Sequence, residues 1–329
     1  MTAGVDTAGK NVFGKRFLFC YPFHEGVAAV IIKGTGTQVI NRRGESITEL
    51  HILSVNGIVA SEGLVAVATA KEDRWGFIDV TGRVVIPPRY QQVGNFCEGA
   101  AAVCLHGKWG YVDHSGRSIV PPTYDNARKF SGGVASVAVG EKWGCINRDG
   151  QWVIQPKFEQ LKDCREGMIV AKSQGKWGAV DRGGNVAISM SYDDMGDFSE
   201  GLVAARLARG WGFLDRSGKR VVPFDYYSTE PFREGLAKIG MESPYLNGPI
   251  QYRYISQTGA PVGPIYESAR SFSEGLAQIA SEDKGWFINH GGKTVFELPR
   301  GGLRVPEPEQ DGGKSFHREK APREASMPP

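Results

Sequence analysis

The stretch KWGYVDHSGRSIVPPTY, residues 108–124, returns thirty-four residues later as KWGCINRDGQWVIQPKF, residues 142–158. A sequence that restates itself at a fixed stride is an array of equal structural units, and the stride has to be read before anything else. Trp-Gly recurs at Trp75, Trp109, Trp143, Trp177 and Trp211, always thirty-four residues apart. A second marker, Phe-x-Glu-Gly, travels with it: Phe96–Gly99, Phe198–Gly201, Phe232–Gly235 and Phe272–Gly275, with Phe130–Gly133 as a Gly-Gly variant. Phe23–Gly26 opens the series, and weaker copies end at Gly63 and Gly167, which makes eight units.

The period alone also fits a pair of helices. Each unit, however, carries a Trp-Gly, a Pro or Pro-Pro and a further Gly, which two packed helices would not tolerate. Between these breakers lie short runs rich in Val, Ile, Ala and aromatics, the composition of strands. In residues 99–126, GAAAVCLHG gives one strand, KWGYVDHSG a second ending in a turn, and RSIVPPTYDN a third. The turn places Asp113 three residues before Gly116, as Asp79 stands before Gly82, Asp181 before Gly184 and Asp215 before Gly218. Asp caps such a turn with its side chain and Gly supplies the positive φ. The prolines bar the third strand from a further neighbour, and YDNARKF leads on to the next unit with room for a short fourth strand.

One small meander cannot bury its apolar face alone, whereas stacked copies can. The sequence therefore predicts an all-β fold of eight tandem ~34-residue antiparallel β-meanders. A curved, open, solenoid-like array is favoured, because the end units lose the Trp-Gly pair as caps do; a closed eight-bladed β-propeller-like ring is the alternative. In this reading the Trp side chains at 75, 109, 143, 177 and 211 give rings to the shared core. Gly76, Gly110, Gly144, Gly178 and Gly212 leave room for a neighbouring backbone or ring to approach. The expected organisation is a lead over 1–16, the repeat domain over 17–298 and a Pro-, Gly- and charge-rich disordered tail over 299–329.

These motifs resemble the bacterial WG-repeat family, whose units read KWG(Y/F)(I/V)D..G..(V/I)(I/V)PP.Y....F.EG. The resemblance implies tandem β repeats with a binding or scaffolding role and supplies no catalytic residue. Units 1, 7 and 8 depart from the pattern: TQVINRRG, YRYISQTG and GWFINHGG stand in place of WGFIDVTG.

Composition narrows the function classes. The chain has 44 glycines in 329 residues, twice an ordinary share, as many turns require. A net charge of +3 does not announce a nucleic-acid binder, and the aromatics recur at core-type positions without forming a stacking platform. No run of apolar residues is long enough for a signal peptide or a membrane span. Five cysteines without a Cys-x-x-Cys pair read as free thiols of a cytoplasmic protein, and the six histidines lack zinc spacing. Neither cofactor nor metal is expected.

Catalysis is not expected either. Glu25, Glu62, Glu98, Glu166, Glu200, Glu234 and Glu274 repeat in one motif, whereas a catalytic constellation occurs once. They are read as acceptors for backbone donors at a turn. Asn147 and Asn289 replace the turn Asp, and an amide cannot serve as a carboxylate base. What remains is a non-enzymatic scaffold for protein–protein interaction. The residues beside the turns, Arg42, Arg83, His114, Arg117, Arg148, Arg182, Arg216 and Lys219, are expected to form a basic rim for an acidic protein partner. The irregular loop 241–251 is a further candidate contact. A ligand- or polysaccharide-binding module, or an enzyme with a site in a central groove, is the alternative; odd polar residues converging in one pocket would favour it.

Overall fold

Val134–Val139, VASVAV, is β-branched or small throughout and bears no charge, so it forms a strand able to be covered on both faces. In the computed structural model it is the second of four antiparallel strands of unit 4: Asn126–Ser131, Val134–Val139, Lys142–Ile146 and Trp152–Phe158, hydrogen-bonded in chain order. The structure describes residues 17–49, 52–55, 60–69, 74–242, 248–281 and 284–298, with 52–55 and 298 by backbone path alone. The same four-stranded meander recurs in units 3 to 8. Units 1 and 2 share one seven-stranded sheet, joined where Thr37 pairs with Ile52. Among the described residues there is no helix. The anticipated fourth strand exists, but it heads the following sheet. Asn126–Ser131 pairs with Val134–Val139 and leaves Ser118–Tyr124 on the edge of unit 3.

Successive side chains of the central strands face opposite neighbours. In unit 4, Ala135, Val137 and Ile146 pack with Tyr111 and Val120 of unit 3. Val134, Cys145 and Ile154 pack instead with Leu161, Ile169 and Val180 of unit 5. Seven such cores join unit 1 to unit 2 and so on to unit 8. An eighth, of Phe17, Ala28, Val30 and Ile40, closes the outer side of unit 1. Among the described residues no core cluster joins unit 8 to unit 1, and the array they form is open. The predicted lead 1–16, the tail 299–329 and residues 243–247 of the irregular loop 241–251 lie outside the described residues.

The Trp-Gly pair divides its labour differently from the expectation. The indoles of Trp75, Trp109, Trp143, Trp177 and Trp211 are half-buried at the margins of the cores. The ring that fills the joint lies two residues later on the same strand face. Tyr111 meets Phe130 of the next unit edge-to-face with centroids 4.7 Å apart, and Phe77–Phe96, Phe213–Phe232 and Tyr254–Phe272 repeat the pair. The glycine behaves as predicted. Trp109 pairs with Tyr124 but Tyr111 with Val120, so two extra residues of the proline-containing strand fold across Gly110. A Cβ there would stand 2.4 Å from the Val120 carbonyl oxygen, and one at Gly76 would stand 2.5 Å from that of Ile86.

Phe213→Ala should therefore cost about 3–5 kcal/mol in denaturant unfolding. Trp211→Ala should cost clearly less, because its ring is only half-buried. Gly110→Ala should destabilise by roughly 1–3 kcal/mol although it adds one methyl group.

Candidate binding surface

The Phe-x-Glu-Gly motif makes the turn between the first and second strands. In Cys97–Ala100 the two outer residues exchange backbone hydrogen bonds, and Glu98 and Gly99 both have positive φ, 54° and 77°. This is the two-residue hairpin turn that favours Asn-Gly. Glu recurs here at a backbone conformation that costs a non-glycine residue about 1 kcal/mol or more, and its carboxylate accounts for that. Glu25 accepts from the amides of Glu62 and Gly63 in the next unit, at 3.0 and 2.7 Å. Glu62 accepts from Gly99, Glu98 from Gly132 and Gly133, Glu166 from Gly201, Glu200 from Gly235 and Glu234 from Gly275. The glutamates do satisfy turn donors, as the sequence reading holds, and the turn is the neighbour's. Unit 4 has Gly132 at this position and so has no such carboxylate.

A second clasp lies at another turn. Asp125, following the last strand of unit 3, accepts from Gly140 of unit 4 at 2.7 Å and pairs with Lys108 of its own unit. Asp193 does the same with Ala208 and Lys176. The lysine hydrogen bonds, followed by those amides, hold both carboxyls below their ordinary value. Here the Lys of Lys-Trp-Gly has its use.

The expected basic rim is largely occupied by these joints. His114 reaches Glu62 of the preceding unit at 3.0 Å and stacks on Phe96. Arg148 donates to the carbonyls of Glu98 and Gly99, Arg182 to that of Gly132 at 3.1 Å, and Arg216 to the Glu166 carboxylate at 2.8 Å. Desolvation works against the ionised Glu166, yet Arg216 and the turn amides hold its carboxyl below the usual range. Arg83 and Arg117 pair with their own turn residues Asp79 and Asp113 at 3.3 Å and stay about four-fifths exposed, so only their outer surfaces face a partner. Lys219 uses its backbone amide in its turn, and Arg42 is exposed. The eight residues thus do not act as one free rim, because four of them are committed between units.

The surface that breaks the repeat lies on the first strands. Register shifts by one residue between Ala127 and Phe130, between Leu161 and Cys164 and between Met195 and Phe198. Each shift is a β-bulge, a device that re-aims side chains on an edge strand. The bulged pairs read Arg128-Lys129, Lys162-Asp163 and Gly196-Asp197, with Gly94-Asn95 at the same place in unit 3. Hydroxyls from the cores hold the bulges: Tyr111 donates to the Arg128 carbonyl at 2.6 Å, and Ser136 to that of Lys162 at 3.0 Å. In units 5 and 6 Lys162 and Asp197 offset each other, Asp197 receiving Lys162 at 3.7 Å and Arg165 at 3.5 Å.

In units 3 to 5 the charges converge on a cleft of about 540 Å³ lined by Asn95, Cys97, Asn126, Arg128, Lys129, Trp143 and Asp163. Arg128 lies over the Trp143 ring at 5.4 Å, and neither Arg128 nor Lys129 forms an ion pair among the described residues. Asp163 Oδ1 is buried there without a hydrogen-bond partner. Burial pushes the Cys97 thiol up, with Lys129 pulling the other way and nearby carboxylates adding to the rise. Burial also raises Cys20, Cys104, Cys145 and Cys164, Cys145 to about 11. The sequence reading passed over the bulged pairs as connector; their signal was the change of charge at one fixed place before the Phe. Among the described residues no three His, Cys, Asp or Glu side chains gather as a metal site.

The chain belongs to the family described as WG containing repeat, which matches residues 5–35, 75–109, 109–143, 143–177, 177–208, 211–242 and 252–284. The first match reaches into the predicted lead. No curated protein matches the chain. Among solved structures it is similar to one described as the eukaryotic initiation factor, with 9% identity, a TM-score of 0.57, and 83% of this chain and 85% of that chain covered. It also matches BamB from Moraxella catarrhalis, at 9% identity, a TM-score of 0.40, and 83% and 91% coverage. The WD40 beta propeller domain of Doa1 gives 9% identity, a TM-score of 0.33, and 68% and 88% coverage.

Two outcomes test the clasps. Replacing Arg148, Arg182 and Arg216 together by Ala should lower thermal stability, since it unfastens three joints; an unchanged melting temperature would return these residues to the free surface. Acid should act on the turn aspartates as well. The Thr81, Ser115 and Ser217 hydroxyls and the Asn185 amide lead the hydrogen bonds that hold Asp79, Asp113, Asp215 and Asp181 below their ordinary value. Their contribution is present above the unfolded carboxyl value of about 3.9 and is lost as pH falls through the lower folded values. Asp→Asn at these four positions, the residue already used at Asn147, should flatten the acid limb of a pH–stability curve.

Proposed function

We propose that the chain is a non-catalytic protein-binding scaffold whose recognition surface is the bulged first-strand cleft of units 3 to 5, and that it takes an acidic segment of a partner protein. The observation that supports this most directly is the pair Arg128 and Lys129. They are exposed cations without ion-pair partners among the described residues, on re-aimed bulges, next to a half-buried indole. A peptide carboxylate meets the cations, and a peptide N–H meets the lone Asp163 oxygen, which otherwise stays desolvated and unpaired. The outward faces of Arg83, Arg117 and Lys219 extend the positive field toward the approaching partner and act mainly on the rate of encounter.

The same cleft carries the alternative, a small-molecule or polysaccharide ligand, because unusual polar residues converge there. A protein partner is favoured by the exposed cations, which suit an acidic surface better than a neutral sugar. Against enzyme chemistry stands the lack of a paired nucleophile and base in the cleft, where Cys97 is held as the thiol. Free thiols fit a reducing compartment, and a cytoplasmic location goes with this reading.

The test is affinity capture from the source cells at low salt, comparing the wild-type chain with Arg128→Ala/Lys129→Ala and with Arg83→Ala/Arg117→Ala/Lys219→Ala. The cleft variant should bind the recovered partner about tenfold more weakly, equivalent to ~1.4 kcal/mol. The rim variant should show a smaller loss that salt removes. Equal recovery by the cleft variant and wild type would contradict the proposal.

A further inference from the structure

A second aromatic contact recurs at the joints, between the last strands of successive units. Tyr124 ends the last strand of unit 3, and Trp152 of unit 4 meets its ring edge-to-face with centroids 5.6 Å apart. Phe224 of unit 6 stands against Tyr192 of unit 5 at 5.8 Å. Met190 of unit 5 packs on the core that holds Phe158 of unit 4. Each of these three joints receives one large side chain from the last strand of its second unit.

Unit 3 supplies none to the joint before it. Counted back by the stride of the repeat, Ser118 stands where Trp152 stands, and Pro122 where Met190 and Phe224 stand. The register agrees, since Ser118 pairs with Val112 as Trp152 pairs with Ile146. The joint between units 2 and 3 accordingly keeps a cavity of about 240 Å³, walled by Tyr90, Val103, Leu105, Val112, Val120 and Pro122. Tyr90, Val103 and Val112 correspond to Tyr124, Val137 and Ile146, the core residues beside which Trp152 packs in the next joint. Ser118 and Arg89 also line the cavity. Arg89 is exposed, and its Nη2 donates to the Tyr90 hydroxyl at 2.7 Å and to the Gly116 carbonyl at 3.1 Å. The corresponding residue of unit 3 is the uncharged Thr123. The cavity shares no lining residue with the cleft of units 3 to 5.

We infer that the joint between units 2 and 3 binds a small aromatic carboxylic acid. Its ring takes the place that Trp152 takes one joint later, and its carboxylate meets Arg89. The cavity is smaller than the roughly 300–1,000 Å³ of drug-sized sites, so it holds a single ring system. An apolar cavity accepts an aromatic ring in place of the side chain it lacks. The guanidinium has donors beyond the two bonds it makes, in the fork geometry that suits a carboxylate.

Isothermal titration of the full chain with indole-3-acetate, and with indole as the uncharged probe, tests this. The wild type should bind both saturably, the acid at least tenfold more tightly. Ser118→Trp installs the ring that unit 4 already carries and should abolish binding of both probes, with circular dichroism unchanged. Arg89→Gln leaves the apolar walls intact and should remove the tenfold preference for the acid while indole still binds. This second variant decides the matter if Ser118→Trp does not fold. Absence of saturable binding by the wild type would overturn the inference, as would a folded Ser118→Trp chain that binds like the wild type or an Arg89→Gln chain that keeps the preference.

Discussion

The structure depends on a carboxylate that leaves its own turn to close the next one. A two-residue hairpin turn exposes amides that nothing in its own unit can satisfy. Glu25, Glu62, Glu98, Glu166, Glu200 and Glu234 each satisfy one or two of them across a joint. The cost is a glutamate held at positive φ in every case. The apolar cores supply most of the stabilisation between units, since burial is nondirectional and large. They do not fix how far one sheet slides on the next. Charge-assisted hydrogen bonds at two turns do so, because they tolerate little displacement.

This division of tasks explains why the units vary where they do. The Trp-Gly strand, the prolines and the Asp turn all serve one local geometry, the two-residue fold of the last strand over the glycine, and so they repeat. The bulged pairs carry no repeated motif: Arg128-Lys129 stays outside the clasps, whereas Lys162 reaches Asp197 across a joint. Two of the bulges are held by a backbone carbonyl, through Tyr111 and Ser136. The proposed recognition surface can therefore vary at little cost to the stack, since repeat arrays tolerate variation at their edges.

Much of the fold was legible in the sequence, because strand, turn and bulge signals act over a few residues and recur at one stride. Asp113 before Gly116, and Gly110 opposite the prolines, were readable for that reason. The role of the tryptophans was read too generously: Trp109 and Tyr111 share a face, and only packing decides which of the two lies at the centre of the joint. The clasps were out of reach, since Glu62 and Gly99 are 37 residues apart and their meeting depends on how sheets stack. For the same reason His114, Arg148, Arg182 and Arg216 looked like part of a free rim, although they point back to the preceding unit. The cleft was missed because its residues sit in a segment that reads as a connector, and its charge pattern acquires meaning only once neighbouring edges are side by side.

Amide hydrogen exchange at Gly99, compared between the wild-type chain and Glu62→Ala, tests the central claim most directly. The account predicts that Gly99 is protected in the wild type and exchanges at least tenfold faster in the variant, a loss of ~1.4 kcal/mol of local protection. Gly201, Gly235 and Gly275 should be unaffected. Unchanged exchange at Gly99, or equal loss at all four glycines, would show that the carboxylates do not hold the joints one by one.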